Sequence, residues 1–90
     1  MRLLGIAENY TRDGYLVVKP YVKNPLRLMY LDVLDSAGRI IGRIIDIIGK
    51  VEDPRIIVKL VDRDLGEFLT SRRERLYYTV TRRRGRKYSG

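Results

Sequence analysis

The chain contains no cysteine, no histidine and no tryptophan, and only one phenylalanine and three prolines in 90 residues. Lacking cysteine, it has no disulfide framework and no thiolate nucleophile. Lacking histidine as well, it has no zinc site of the usual kind and no imidazole base that titrates near neutrality. Most enzyme classes leave with those residues, so the chain is expected to be no enzyme and to hold neither metal nor cofactor. The acid pairs Glu52 with Asp53 and Asp62 with Asp64 lie in turn-like sequence, where solvated carboxylates are ordinary. No nucleophile or phosphate-cradling glycine loop accompanies them. Long apolar runs are missing too: nothing approaches the roughly 20 residues of a membrane span, and "MRLLGIAENY" has neither the apolar core nor the cleavage site of a secretory signal. A cytoplasmic location is expected, away from membranes, with no small-molecule substrate.

Basic charge is plentiful. The formal net charge is +8, and it is unevenly placed. Residues 72 to 90 hold eight basic side chains against the single acid Glu74, a net +7, whereas the preceding 71 residues hold eleven against ten, a net +1. The body is therefore nearly neutral, and the basicity belongs to the end of the chain, "TRRRGRKYSG". Blocks of like charge tend to stay disordered. Residues 1–80 are read as one domain and 81–90 as a basic, flexible tail. Arg82, Arg83, Arg84, Arg86 and Lys87 are suited to contacting RNA phosphates without sequence preference, and a merely solubilising tail is the other reading.

The body reads as strands almost throughout. "RLLGIAE" and "RDGYLVVKP" flank the Asp13-Gly14 turn signal as a hairpin. "LMYLDVL" follows Lys23-Asn24-Pro25, and the turn signals Asp35-Ser36-Ala37-Gly38 and Glu52-Asp53-Pro54 bound the next two runs. Asp64, with Glu67 three residues on, is placed to cap one helical turn holding Leu65, Phe68 and Leu69. "RLYYTV" then supplies a sixth strand. The expected fold is all-β, a small six-stranded closed or nearly closed barrel of the translation-factor type. A chain this short buries only about 60% of its unfolded surface, which makes a supporting partner plausible from size alone.

One stretch bears most on function. In "GRIIGRIIDIIGKV", residues 38 to 51, isoleucines stand in pairs at 40 and 41, 44 and 45, 47 and 48. The β-branched residues and the glycines at 38, 42 and 49 favour a strand over a helix. Neighbouring strand residues point to opposite faces, so both faces are apolar. One face fills the barrel. The other is either a protein interface or is covered by the chain's own Leu65–Leu69 segment.

These same residues carry a resemblance. "IIGRIIDIIGKVEDPRIIVKL" resembles the signature segment of the GAR-type subunit of H/ACA ribonucleoproteins, the RNA-guided pseudouridine synthases of archaea and eukaryotes. Gly42, Asp46, Gly49, Val51, Pro54 and Lys59 fall into its register, and "LLG", "GYLVVK" and "RLYYT" extend the similarity over most of residues 3 to 80. Ile48 stands where that motif has Phe, Lys50 where it has Pro and Arg55 where it has Tyr; residues 62 to 74 match only loosely. The resemblance implies a non-catalytic accessory subunit. Such a subunit binds the catalytic domain of the dyskerin-type pseudouridine synthase, aiding substrate loading and product release in rRNA modification, with guide RNA and rRNA reached indirectly or through the tail. On this reading the partner-binding residues are Ile41, Ile44, Ile45, Asp46, Ile47, Ile48, Gly49, Val51, Pro54 and Arg55. "DSAGRIIGRIIDI" is also similar to the PRC-barrel module of a ribosome-maturation factor that binds ribosomal proteins. A third reading is a barrel that binds RNA directly, stacking bases on Tyr77, Tyr78 and Tyr88 beside the arginines.

Overall fold

The computed structural model describes residues 1–80, and the tail residues Arg82, Arg83, Arg84, Arg86 and Lys87 lie outside them. Six strands form the fold: β1 (Arg2–Tyr10), β2 (Tyr15–Pro20), β3 (Asp32–Leu34), β4 (Ile40–Lys50), β5 (Asp53–Leu60) and β6 (Arg75–Tyr78). One helix, α1 (Leu65–Ser71), and a 3-10 turn over Pro25–Leu28 complete it. All pairings are antiparallel, and the order β1-β2-β5-β4-β3-β6 closes because β6 pairs with β1 as well as with β3. The expected all-β, six-stranded barrel is what the chain forms, and closure leaves no strand of the barrel wall without a neighbour. No helix among the described residues is long and apolar enough to cross a membrane.

The interior is built from the inward member of each alternating pair: Leu4 and Ala7 from β1, Leu16 and Val18 from β2, Val33 from β3, Ile44 from β4, Ile56 and Val58 from β5, Leu76 from β6. All are fully buried. Leu69 of α1 and Leu28 of the 3-10 turn join the same cluster. Gly42 is required by close approach of backbone: a β-carbon there would stand 2.5 Å from the Lys59 carbonyl oxygen and 2.7 Å from a Val58 methyl. This side-chain-free position lets β4 and β5 pack together at the barrel wall.

The β3–β4 connection is tied by one carboxylate. Asp35 is only 6% exposed, yet its Oδ1 accepts hydrogen bonds from the Ala37 and Arg39 amides at 3.0 and 2.9 Å, and its Oδ2 accepts one from Arg39 Nε at 2.9 Å. Burial alone raises such a carboxyl; the Arg39 amide, the Arg39 guanidinium and the Ala37 amide together outweigh it and hold Asp35 below the ordinary carboxylate range.

Three local expectations are corrected. "LMYLDVL" is not one strand: only Asp32–Leu34 is, because Pro25 starts a 3-10 turn and Tyr30 takes a left-handed φ of 68°. That bend directs Leu28 into the core while the Tyr30 amide still donates to the Ile44 carbonyl at 2.9 Å. Asp64 precedes α1 but has helical dihedrals and no side-chain cap; Asp62 Oδ1 accepts its amide hydrogen at 2.9 Å instead, an Asx turn that uses the nearer carboxylate. The β4–β5 turn is Val51–Glu52 alone, since Lys50 already pairs with Asp53 and Gly49 with Pro54.

Candidate protein-docking surface

The isoleucine pairs stand four and then three residues apart, and the inward members prove to be three apart each time, a step that a regular two-residue strand period does not produce. Two register shifts account for them. Ile41 has no counterpart on β3, where Val33 faces Gly42 and Leu34 faces Ile40. Ile45 has none on β5, where Val58 faces Ile44 and Ile57 faces Asp46. Each bulge inserts one residue and shifts the phase of the strand. Ile41, Ile44 and Ile47, three apart each time, therefore all turn toward the core, the first two fully and Ile47 in part. The other member of each pair faces out: Ile40 and Ile48 are exposed, and Ile45 is half-buried.

Beyond the barrel wall, β4 and β5 continue as a two-stranded ribbon. The β3 pairing ends at Asp32–Arg43, with Tyr30 and Leu31 bonding Ile44, and the β2 pairing ends at Val18–Ile56. Residues 45 to 55 extend past both. Val51, at the tip, is 97% exposed, and Ile48, on the outward face, is 47% exposed. Gly49 carries a φ of 93°, a conformation glycine adopts without strain, just before the turn. Asp46 Oδ1 accepts the Ile47 amide hydrogen at 2.8 Å.

Arg55 fixes this ribbon to β1. Its Nε donates to Glu8 Oε1 at 2.7 Å and its Nη1 to Asp53 Oδ1 at 2.7 Å, with a further bond from Nη1 to the Pro54 carbonyl at 3.0 Å. The Glu8 bond and then the Asp53 bond hold the guanidinium more firmly protonated than usual, and Arg55 in turn lowers the Asp53 carboxyl. Two carboxylates on one planar cation give directional restraint, which a hydrophobic contact would not.

Of the ten residues expected to meet a partner, Ile45, Asp46, Ile48, Val51, Pro54 and Arg55 line this ribbon with side chains at least partly accessible. Gly49 contributes exposed backbone. Ile41 and Ile44 are corrected to core residues at 3% and 0% exposure, and Ile47 packs against that core. α1 does not cover the outer face of the ribbon: it packs on β1, with Leu65, Phe68 and Leu69 bordering a cleft beside Ile40 and Ile41 at the other end of β4.

A second apolar region escaped the sequence reading. Tyr30, Ile40 and Val61 are all exposed and, with Ile45, line a shallow groove flanked by Arg43 and Lys59. Its sequence signals were Ile40, the outward member of the first pair, and Ile45, expected at a partner surface; Tyr30 and Val61 come from a turn and from the residue just past β5, which converge through pairing. Tyr77 and Tyr78, offered as base-stacking residues, are half-buried and buried respectively, so Tyr78 serves the core.

No family model matches the chain, and no curated protein does.

Proposed function

We propose that this chain is a non-catalytic accessory subunit of an RNA-guided pseudouridylation complex, docking on the catalytic domain of a dyskerin-type pseudouridine synthase. The observation that carries the reading is the ribbon of residues 45 to 55. The segment with the GAR-type resemblance contains the stretch that runs past the β2 and β3 pairings, and that stretch leaves Ile48 and Val51 uncovered. An exposed valine and isoleucine on a rigidly tied hairpin lose little conformational freedom on binding, a favourable basis for a hot spot. A subunit that contributes no reacting group acts by positioning or gating, so its effect falls on substrate loading and product release.

The test is kinetic. Added to the synthase and its guide RNA, the chain should raise multiple-turnover rates more than single-turnover rates, and Ile48→Glu with Val51→Glu should remove the gain while the variant stays folded. Equal rates with and without saturating protein would refute the mechanism. Retrieval of a ribosomal protein instead of a synthase from native extract would favour the PRC-barrel reading.

A further inference from the structure

Along the ribbon β4 is, among the described residues, paired on one side alone. From Asp46 to Lys50 it pairs with β5 on one side and, among the described residues, with no strand on the other. Exposed edges of this kind are templates for another strand, and proteins commonly block them. The opposite edge of the ribbon is blocked, because Pro54 stands where β5 has lost β2 and offers no amide hydrogen. The β4 edge contains no proline; its outward side chains past the bulge are Asp46, Ile48 and Lys50, facing Ile57, Arg55 and Asp53 of β5, and the Ile47 amide hydrogen, which Asp46 Oδ1 accepts at 2.8 Å in the single chain, is freed for a partner strand when Asp46 turns to an opposing cation.

That order of side chains is self-complementary. In an antiparallel pair centred on Ile48, residue 46 lies opposite residue 50 and 47 opposite 49. An apolar contact sits on the twofold axis with an acid–base pair on either side. The adjacent registers lack this match: centring on Asp46 sets two carboxylates face to face, and centring on Ile47 sets Asp46 against an isoleucine. Cross-strand pairs of opposite charge favour a register and like charges oppose it. We infer that two copies of the chain associate through this edge of β4, Ile48 against the partner's Ile48 and Asp46 against the partner's Lys50. The interface is isologous, as twofold symmetry requires. Because five residues of strand edge bury little surface, the dimer belongs to the small, transient class of interfaces. Ile48 is central to both this pairing and the proposed synthase docking, so the two exclude each other, yet the self-pairing rests on the strand edge alone.

The cysteine-free sequence supplies a clean test. Opposed residues of an antiparallel pair have Cα atoms about 4.5–5.5 Å apart, within the span a disulfide bridges. Ile48→Cys in the full chain should therefore cross-link rapidly under mild oxidation. Val51→Cys should not, since three residues off the axis two such thiols stand roughly 20 Å apart at about 3.3 Å per residue. Random collision gives the opposite order, because Val51 is the more exposed of the two. In sedimentation of the cysteine-free chain, Lys50→Asp should weaken the dimer about tenfold through two opposed carboxylate pairs, and adding Asp46→Lys should restore it. Far-UV circular dichroism checks that each variant is folded. Val51→Cys cross-linking as fast as Ile48→Cys, a chain that remains monomeric to about 1 mM, the weak end of the association scale, or a dimer indifferent to Lys50→Asp would each overturn the inference.

Discussion

Replacing single members of the isoleucine pairs by glutamate should divide them into two classes, and the structure sets the size of the division. Ile44 is fully buried among apolar side chains, facing Val58. Ile44→Glu gives up about 1.5–3 kcal/mol of apolar burial, and placing even a neutral carboxyl there without a partner costs about another 1–3 kcal/mol. Against a total stability of about 4–12 kcal/mol for 80 residues, the variant is marginal or unfolded. Ile48, at 47% exposure, gives up at most about 1.6 kcal/mol on the same scale, and the new carboxylate faces Arg55 across the ribbon. Urea denaturation followed by circular dichroism measures both. With a slope of about 1 kcal/mol/M for so small a domain, Ile48→Glu should move the midpoint by no more than about 1.6 M and Ile44→Glu by at least about 2.5 M or remove the transition. Ile41→Glu should follow Ile44→Glu, and Ile40→Glu should follow Ile48→Glu. The Ile44→Glu defect also carries a pH signature. Burial raises the folded-state pKa of that glutamate above its unfolded value of about 4.3, so stability is greatest below that value and declines as pH rises toward the folded pKa. Equal losses at Ile44 and Ile48 would refute the assignment of faces.

The remaining predictions concern the framework. Gly42→Ala forces a β-carbon against the Lys59 carbonyl and a Val58 methyl, so it should cost about 1–3 kcal/mol as overpacking and lower the thermal midpoint by at least about 4 °C; a midpoint within 1 °C of the parent, on a scale of about 4–8 °C per kcal/mol, would show that the strands separate without strain. Asp35→Asn should cost about 1–3 kcal/mol at pH 7 by weakening charge-assisted bonds to Ala37 and Arg39. Since the Asp35 pKa is depressed by folding, its contribution is complete above the unfolded value of about 3.9 and is lost as pH falls through the lower folded value. Parent and variant stabilities should thus converge below about pH 4, and a gap unchanged at pH 2 would assign the effect to shape instead of charge.

Much of this protein was fixed by local sequence. The turn signals at Asp13-Gly14 and Asp35–Gly38 and the β-branched runs specify short strands and tight turns, since these depend on backbone dihedrals and on each residue's immediate neighbours. That locality also made both faces of β4 legible as apolar. Which isoleucine goes inside was decided by tertiary pairing. The bulges at Ile41 and Ile45 exist because β3 and β5 meet β4 in particular registers, and no pattern within residues 38 to 51 states the register of a strand elsewhere in the chain. The same holds for the ribbon: its reach past the barrel depends on where β2 and β3 stop pairing, and its restraint depends on Glu8, 47 residues from Arg55. Sequence determined that a second apolar face would exist; barrel closure determined that its uncovered part comprises Ile40 and the stretch from Ile45 to Val51, because hydrogen-bond pairing and burial are properties of residues brought together from different parts of the chain.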